Sequence, residues 1–230
     1  MNPHAIWYTP VSGIWQTVWL EPVSSKYISN VVSVADIDNK NLKVKVGTQN
    51  TTSSDVVQIV LKEQNTIVAM TKGVVGETLE LALADVKLWS PESPFLYDLE
   101  VTLLDKGKKT DKVKSYAAMR KISMHKDKDG IMRMQLNNKD CFQFGPLDQG
   151  WWPDGLYTAP TDEALAYDIE KTKDWGFNMI RKHIKVEPAR WYTHCDRLGI
   201  LVWQDMPSGD NSPKWLSLIH ISEPTRPISI

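Results

Sequence analysis

The sequence predicts a multidomain chain, β first and α/β second, and two patterns carry that expectation. From about Ser24 to Met119 apolar residues recur with period two, the pattern of strands that bury one face. Beyond Cys141 short apolar runs alternate with stretches of helical period, the order expected of a parallel sheet with crossover helices. At 230 residues and 42% hydrophobic content, the chain is long enough to pack more than one core.

Composition narrows the partners. Twenty-seven basic against 28 acidic residues give a net charge of −1, which offers no excess for nucleic acid or an anionic membrane. The sequence holds no apolar run of about 18 residues, and its first residues lack the segments of a signal peptide. No membrane partner is expected, while compartment and oligomeric state stay open. Cys141 and Cys195 form no CxxC and no metal-like spacing, so they read as two buried free thiols.

Taken in order, Pro10 to Gly13 is a turn, and Ile14, Val18 and Leu20 with Trp15 and Trp19 make a strand that needs a sheet. Strand runs follow at 27–34, 42–46, 56–61, 66–70, 79–83, 97–103 and 113–118, with Asn, Gly, Ser and Asp turns between them. About seven such strands predict an immunoglobulin-like β-sandwich. Lys126 to Gly130 is a charged turn, and Met132 to Leu136 leads into a hairpin at Asn137 and Asn138, since Asn tolerates a positive φ. Cys141 to Gly145 reads as a buried strand. Thr161 caps a helix with Asp162 and Glu163 in its first turn, Leu165, Ile169 and Thr172 on one side, and Gly176 past its end.

Phe177 to Arg181 and Ile200 to Trp203 are short enough to be strands buried on both faces. Between them Pro188 opens a helix with Trp191, Cys195 and Leu198 on one side, and Gly199 stops it. Ligands of such units meet the residues just past the strands' carboxyl ends, here Arg181, Lys182 and His183, then Gln204 and Asp205.

Several stretches resemble glycoside hydrolase family 2, the family of β-galactosidases, β-glucuronidases and β-mannosidases. SGIWQTVWLEPV resembles the closing strand of its jelly-roll sugar-binding domain; LWSPESPFLYDLEVTL and SYAAMRKI resemble the opening motif and exit of its middle domain. GFNMIR and WYTHCDRLGILVWQDMP resemble its catalytic TIM barrel, and the likeness runs from residue 1 to about 215. The resemblance implies the last strand of a jelly roll at 1–23, the immunoglobulin-like sandwich at 24–119, and the N-terminal part of a TIM (β/α)8 barrel at 120–215. From 141 to 230 there are 90 positions against roughly 250 for a complete barrel, so about three of its strands are expected. The tail LSLIHISEPTRPISI departs from the pattern and resembles a translated sequencing adapter, so 216–230 is expected to be non-native.

The activity implied is retaining hydrolysis of a terminal β-linked sugar, which uses two carboxyl groups about 5 Å apart. In the family both are glutamates on later barrel strands, so no catalytic residue is assigned and the chain itself is expected to be inactive. Glu163, Glu170 and Glu187 read as solvent-facing charges on or beside helices. Arg181 matches an Arg that bonds the nucleophile, or makes an ordinary ion pair. Asp205 matches an acidic position of the sugar pocket or of a metal site; Gln204 beside it replaces a carboxylate, so no magnesium ion and no other cofactor is expected. His183 lies one residue before the family's usual His position and bonds either a sugar hydroxyl or a loop carbonyl. Asp148 and Gln149 suit contacts to sugar hydroxyls, with a turn as the other reading for Asp148; Trp151 and Trp152 either stack on a sugar or pack beneath helices. The expected partner is a carbohydrate. Two other functions fit less of the sequence: a non-catalytic carbohydrate-binding module, and a metal hydrolase using His183, Asp205 and Asp148 without a ligand-spacing signature.

Overall fold

The computed structural model describes residues 8–207. The expectation for 216–230, and the ends of those for 1–23 and 120–215, lie outside the described residues. The described chain divides into two compact units, residues 21–142 and residues 8–20 with 143–207.

In the first unit the period-two runs become β1 (Tyr27–Asp36), β2 (Asn41–Gln49), β3 (Val56–Glu63), β4 (Thr66–Val74), β5 (Thr78–Ala82), β6 (Tyr97–Asp105) and β7 (Lys108–Ala117). They form two antiparallel sheets, ordered β1-β2-β5 and β4-β3-β6-β7, that share one core. Alternation decides which residues enter it: Leu42, Val44 and Val46 from one sheet meet Val57, Ile59, Leu61, Leu99, Val101 and Leu103 from the other. The LWSPESPF stretch has a structural task. Trp89 is fully buried with the Arg120 guanidinium 4.7 Å above its ring, and the Tyr97 hydroxyl accepts a bond from the Lys87 N–H.

β8 (Ile122–Lys126), β9 (Met132–Leu136) and β10 (Lys139–Asp140) make a small antiparallel sheet. Its tight turn places Asn137 at φ 54° and Asn138 at φ 63°, two consecutive left-handed residues, as a hairpin whose twist matches its strands requires.

The second unit is a parallel three-stranded sheet of β11 (Leu147–Asp148), β12 (Met179–Lys182) and β13 (Leu201–Gln204), in that order. α1 (Asp162–Asp174) and α2 (Ala189–Leu198) connect the strands. Thr161 caps α1 by accepting the Ala164 N–H at 3.1 Å, and Gly199 ends α2 at φ 80°. Leu165 and Ile169 of α1 and Trp191 and Cys195 of α2 pack on Ile180 and Ile200.

Two expectations need correction. Cys141 to Gly145 is not a buried strand: Phe142 is 84% exposed, Phe144 57%, and Cys141 only half-buried. The ladder begins after Pro146, whose nitrogen has no hydrogen to donate, and pairs Leu147 with Arg181. Residues 8–24 join no strand ladder, and Ile14, Val18 and Leu20 are 84%, 75% and 97% exposed.

Candidate functional site

Alternation along β12 sends Arg181 and Lys182 to opposite faces of the parallel sheet, and each gathers its own partners. On the face with Arg181, its Nε and Nη2 donate to the two carboxylate oxygens of Asp205 at 3.1 and 3.0 Å. The Nδ1 atom of His183, two residues along, lies 2.8 Å from Asp205 Oδ2. Arg181 and His183 hold the Asp205 carboxyl below the usual carboxylate range, the guanidinium contributing most. About half of the Arg181 side chain remains exposed.

On the opposite face Lys182 is 1% exposed, and its ammonium donates to Asp148 Oδ2 at 2.5 Å and Glu187 Oε1 at 2.9 Å, 4.3 Å from the centre of the Trp191 ring. The same Glu187 oxygen lies 3.0 Å from the ammonium of Lys185, itself 2% exposed. Lys185 donates in turn to the Gly150 carbonyl at 2.6 Å, beneath the rings of Tyr157 and Trp15. Two lysines and two carboxylates thus cancel in charge away from water, as buried ions require. Burial lowers the Lys185 pKa, with Glu187 opposing it. Gly150 belongs to the same device: at φ 62° a side chain there is strained, and a Cβ would lie 2.3 Å from Glu187 Oε1.

A second layer ties these groups to β13. The half-buried Tyr192 hydroxyl accepts the Glu187 N–H and donates to Gln204 Oε1, while Gln204 Nε2 donates to the carbonyls of Lys185 and Asp205. Burial pushes the Tyr192 phenol up to about 12, so it remains a donor. The ends of all three strands are therefore joined by one polar network.

Beside it lies an aromatic cluster. Tyr8 stacks on Trp151 at 4.7 Å and 14°, and Tyr157 meets both Trp15 and Trp151 edge to face. With Thr9 and Val11 these rings line a groove of about 330 Å³.

Residues 20–120 match the family model of Glycosyl hydrolases family 2. The β-galactosidase of Lactococcus lactis subsp. lactis is 26% identical over 204 residues, covering 85% of this chain and 19% of that protein. A putative β-glucuronidase of Formosa agariphila is 27% identical over 215 residues, 85% of this chain and 24% of its own length. The resemblance to family 2 is shown. Its fold is matched too: the β-glucuronidase from Ruminococcus gnavus in complex with D-glucuronic acid superimposes with a TM-score of 0.70 at 18% identity, over 80% of this chain and 31% of that one. The chain spans about a fifth of the length of the curated relatives it matches.

Against the family 2 expectations, the structure brings Arg181, His183 and Asp205 together and leaves Asp148 on the other face. His183 sets its Nδ1 against the Asp205 carboxylate, a contact that sequence reasoning did not name. Asp148 ends β11, its Oδ1 accepting the Gly150 N–H at 2.7 Å and its Oδ2 held by Lys182; Gln149 beside it is half-buried. Trp152 packs on the apolar core under the helices, whereas Trp151 faces the groove. Glu187 requires correction: it is 4% exposed and bridges two lysines, rather than facing solvent beside α2. Lys182, expected to meet ligands past its strand, is instead 1% exposed and paired, and the burial of Lys182, Lys185 and Glu187 as one network escaped sequence reasoning; the one available signal was their crowding within KHIKVE, at the end of a strand.

Among the described residues no group of three or more His, Cys, Asp or Glu side chains is placed to hold a metal ion. A magnesium ion does not fit Asp205, whose two oxygens already face a guanidinium and an imidazole. Nor is any helix there long and apolar enough to cross a membrane.

Proposed function

We propose that this chain is part of a retaining, exo-acting β-glycoside hydrolase, contributing the end of a jelly-roll domain (1–23), which forms no strand ladder in this chain, an immunoglobulin-like sandwich (24–119) and the first strands of a TIM barrel (120–215). The observation that supports it most is the Arg181–Asp205–His183 cluster at the carboxyl ends of parallel strands, where barrels of this class carry their chemistry. Arg181 and His183 supply fixed positive and donor groups there, suited to orient a carboxylate or sugar hydroxyl. Gln149 and Trp151 remain candidate sugar contacts, whereas both carboxylate oxygens of Asp148 are held by Gly150 and Lys182 on the other face.

The hydrolytic pair itself is not provided by this chain. Glu163 and Glu170 lie exposed on α1, and Glu187 is buried with its Oε1 bridging the ammonium groups of Lys182 and Lys185, a structural role in the network rather than a place at an open sugar site. The 230-residue chain is therefore expected to release no nitrophenol from nitrophenyl β-galactoside, β-glucuronide or β-mannoside. A longer reading frame containing it is expected to hydrolyse at least one of them with the β-anomer formed first, as proton NMR reads directly. Turnover by the chain alone, or an α-anomer from the longer protein, sinks this reading. The aromatic groove favours one other function, a non-catalytic carbohydrate-binding module, which predicts sugar binding but no turnover by any longer form.

A further inference from the structure

The small sheet of β8, β9 and β10 takes no part in the site above, and its two faces differ in chemistry. One is polar: Ser123 Oγ donates to Gln135 Oε1 at 3.2 Å, and Gln135 Nε2 donates to Asp140 Oδ1 at 3.1 Å, which also lies 2.6 Å from His125 Nε2. Side chains alternate along each strand, so the residues between these point to the opposite face. Those are Ile122 and Met124 of β8 and Met132, Met134 and Leu136 of β9, and the register sets Met124 across from Met134. On the other side of β9 the ladder runs one residue past β10. Asp140 opposes Gln135, and the Cys141 N–H donates to the Met134 carbonyl at 2.9 Å, so Cys141 opposes Met134. Two thioethers and a thiol therefore stand in one row across three strands, with Met132 one step along the same face.

Directly opposed side chains have Cβ atoms about 4.5–5.5 Å apart, and the rotatable bonds of Met let its sulfur turn toward a common point. Met124 and Met132 are 62% and 50% exposed, so an ion arriving from solvent reaches the row without opening the sheet. Sulfur decides the ligand class: thioethers are soft, neutral donors that oxygen-seeking cations pass over and Cu(I) accepts. Lys126 and Lys139 stand toward the two ends of this face, and their repulsion is twice as large for a divalent ion as for a monovalent one. We propose that Met124, Met134 and Cys141 form a three-sulfur site for Cu(I), a soft monovalent cation for which Ag(I) is the redox-inert probe. Burial, and then Glu92, pushes the Cys141 thiol up, so the metal-free thiol keeps its proton. Binding replaces that S–H bond by an S–metal bond and releases one proton to solvent, with no change in oxidation state. Cys195, 1% exposed beneath α2, is out of the ion's reach.

The test titrates the 230-residue chain with silver nitrate in chloride-free buffer and follows the methionine ε-methyl resonances by NMR. The Met124 and Met134 methyls are expected to shift together and saturate near one equivalent, with about one proton released, while those of the buried Met119 and Met179 stay in place. Met124→Leu and Met134→Leu conserve volume and keep Cys141, and each is expected to weaken Ag(I) about tenfold or more. Cu(I), kept reduced without oxygen and competed against a chromogenic chelator, should rank the variants in the same order, and Mg(II) should move no methyl. Silver binding that both Leu variants retain unchanged identifies a lone thiol and overturns the site, as does an absence of methyl shifts or an equal response to Mg(II). Silver binding that Cu(I) does not reproduce overturns the assignment to copper. None of these results touches the hydrolytic reading, which turnover and anomeric outcome in the longer protein decide.

Discussion

Across the two facing antiparallel sheets the side chains withdrawn from water are apolar with one described exception, Asp55, which Lys26 and the Thr52 N–H satisfy. The α/β unit buries Lys182, Lys185 and Glu187 beside Leu165, Ile169 and Trp191. Apolar contacts contribute to stability wherever they form, whereas a buried ion pair returns little more than its desolvation costs. A unit that keeps three such ions at its strand ends gains fixed geometry there rather than stability.

The sharpest way to break that contrast is Glu187→Ala, which leaves two buried ammonium groups facing one carboxylate. A loss of about 3–5 kcal/mol is expected, read as faster hydrogen exchange of the α2 amides. Replacing Lys182, Lys185 and Glu187 together by Met, Met and Leu should cost far less, since no charge is then stranded. If the single and triple variants lose equal stability, the network contributes to stability in its own right and the contrast fails.

Leu99→Ala probes the other side of the comparison. Leu99 is 1% exposed in the shared core, and its truncation should cost about 3 kcal/mol through lost burial and a cavity, measured by denaturant unfolding. No redistribution of charge accompanies it, so its effect should not vary with salt. Gly150→Ala comes next, at about 2 kcal/mol, because it combines a left-handed backbone with displacement of Glu187 and Lys185. Its indole spectrum should change at Trp151, where Leu99→Ala leaves it alone.

Much of this contrast was legible in the sequence, and unevenly so. Period-two alternation located β2, β5 and β6 because one buried face per strand writes itself into every second residue, and short apolar runs between turn residues located the other four. Thr161, Gly176 and Gly199 marked helix ends because caps are local chemistry. Arg181 and Asp205 were reachable from strand ends and family likeness together. The lysine pair was not, since nothing local in KHIKVE tells that strand alternation and Gly150 bring its charges to one enclosed point. Cys141 to Gly145 misled for the opposite reason: its alternating aromatic residues imitate a buried strand, yet both Phe side chains are left in water.

The smallest expected effect tests whether Lys185 is strained by its surroundings. Burial lowers its pKa from the ordinary 10.5, so the folded chain gives up this proton more readily than the unfolded chain does. Between the lowered value and 10.5 the unfolded state binds more protons, and the contribution of Lys185 to stability therefore rises with pH. Denaturant unfolding at pH 8 and pH 10 should show that rise in the parent chain and a smaller one in Lys185→Met, which carries no titrating group. Titration of Tyr192 does not confuse the comparison, because its phenol is pushed up to about 12 and both chains retain it. An identical rise in the two chains would mean that the ammonium is as well accommodated inside as in water, leaving the Glu187 carboxylate enough to offset its burial entirely.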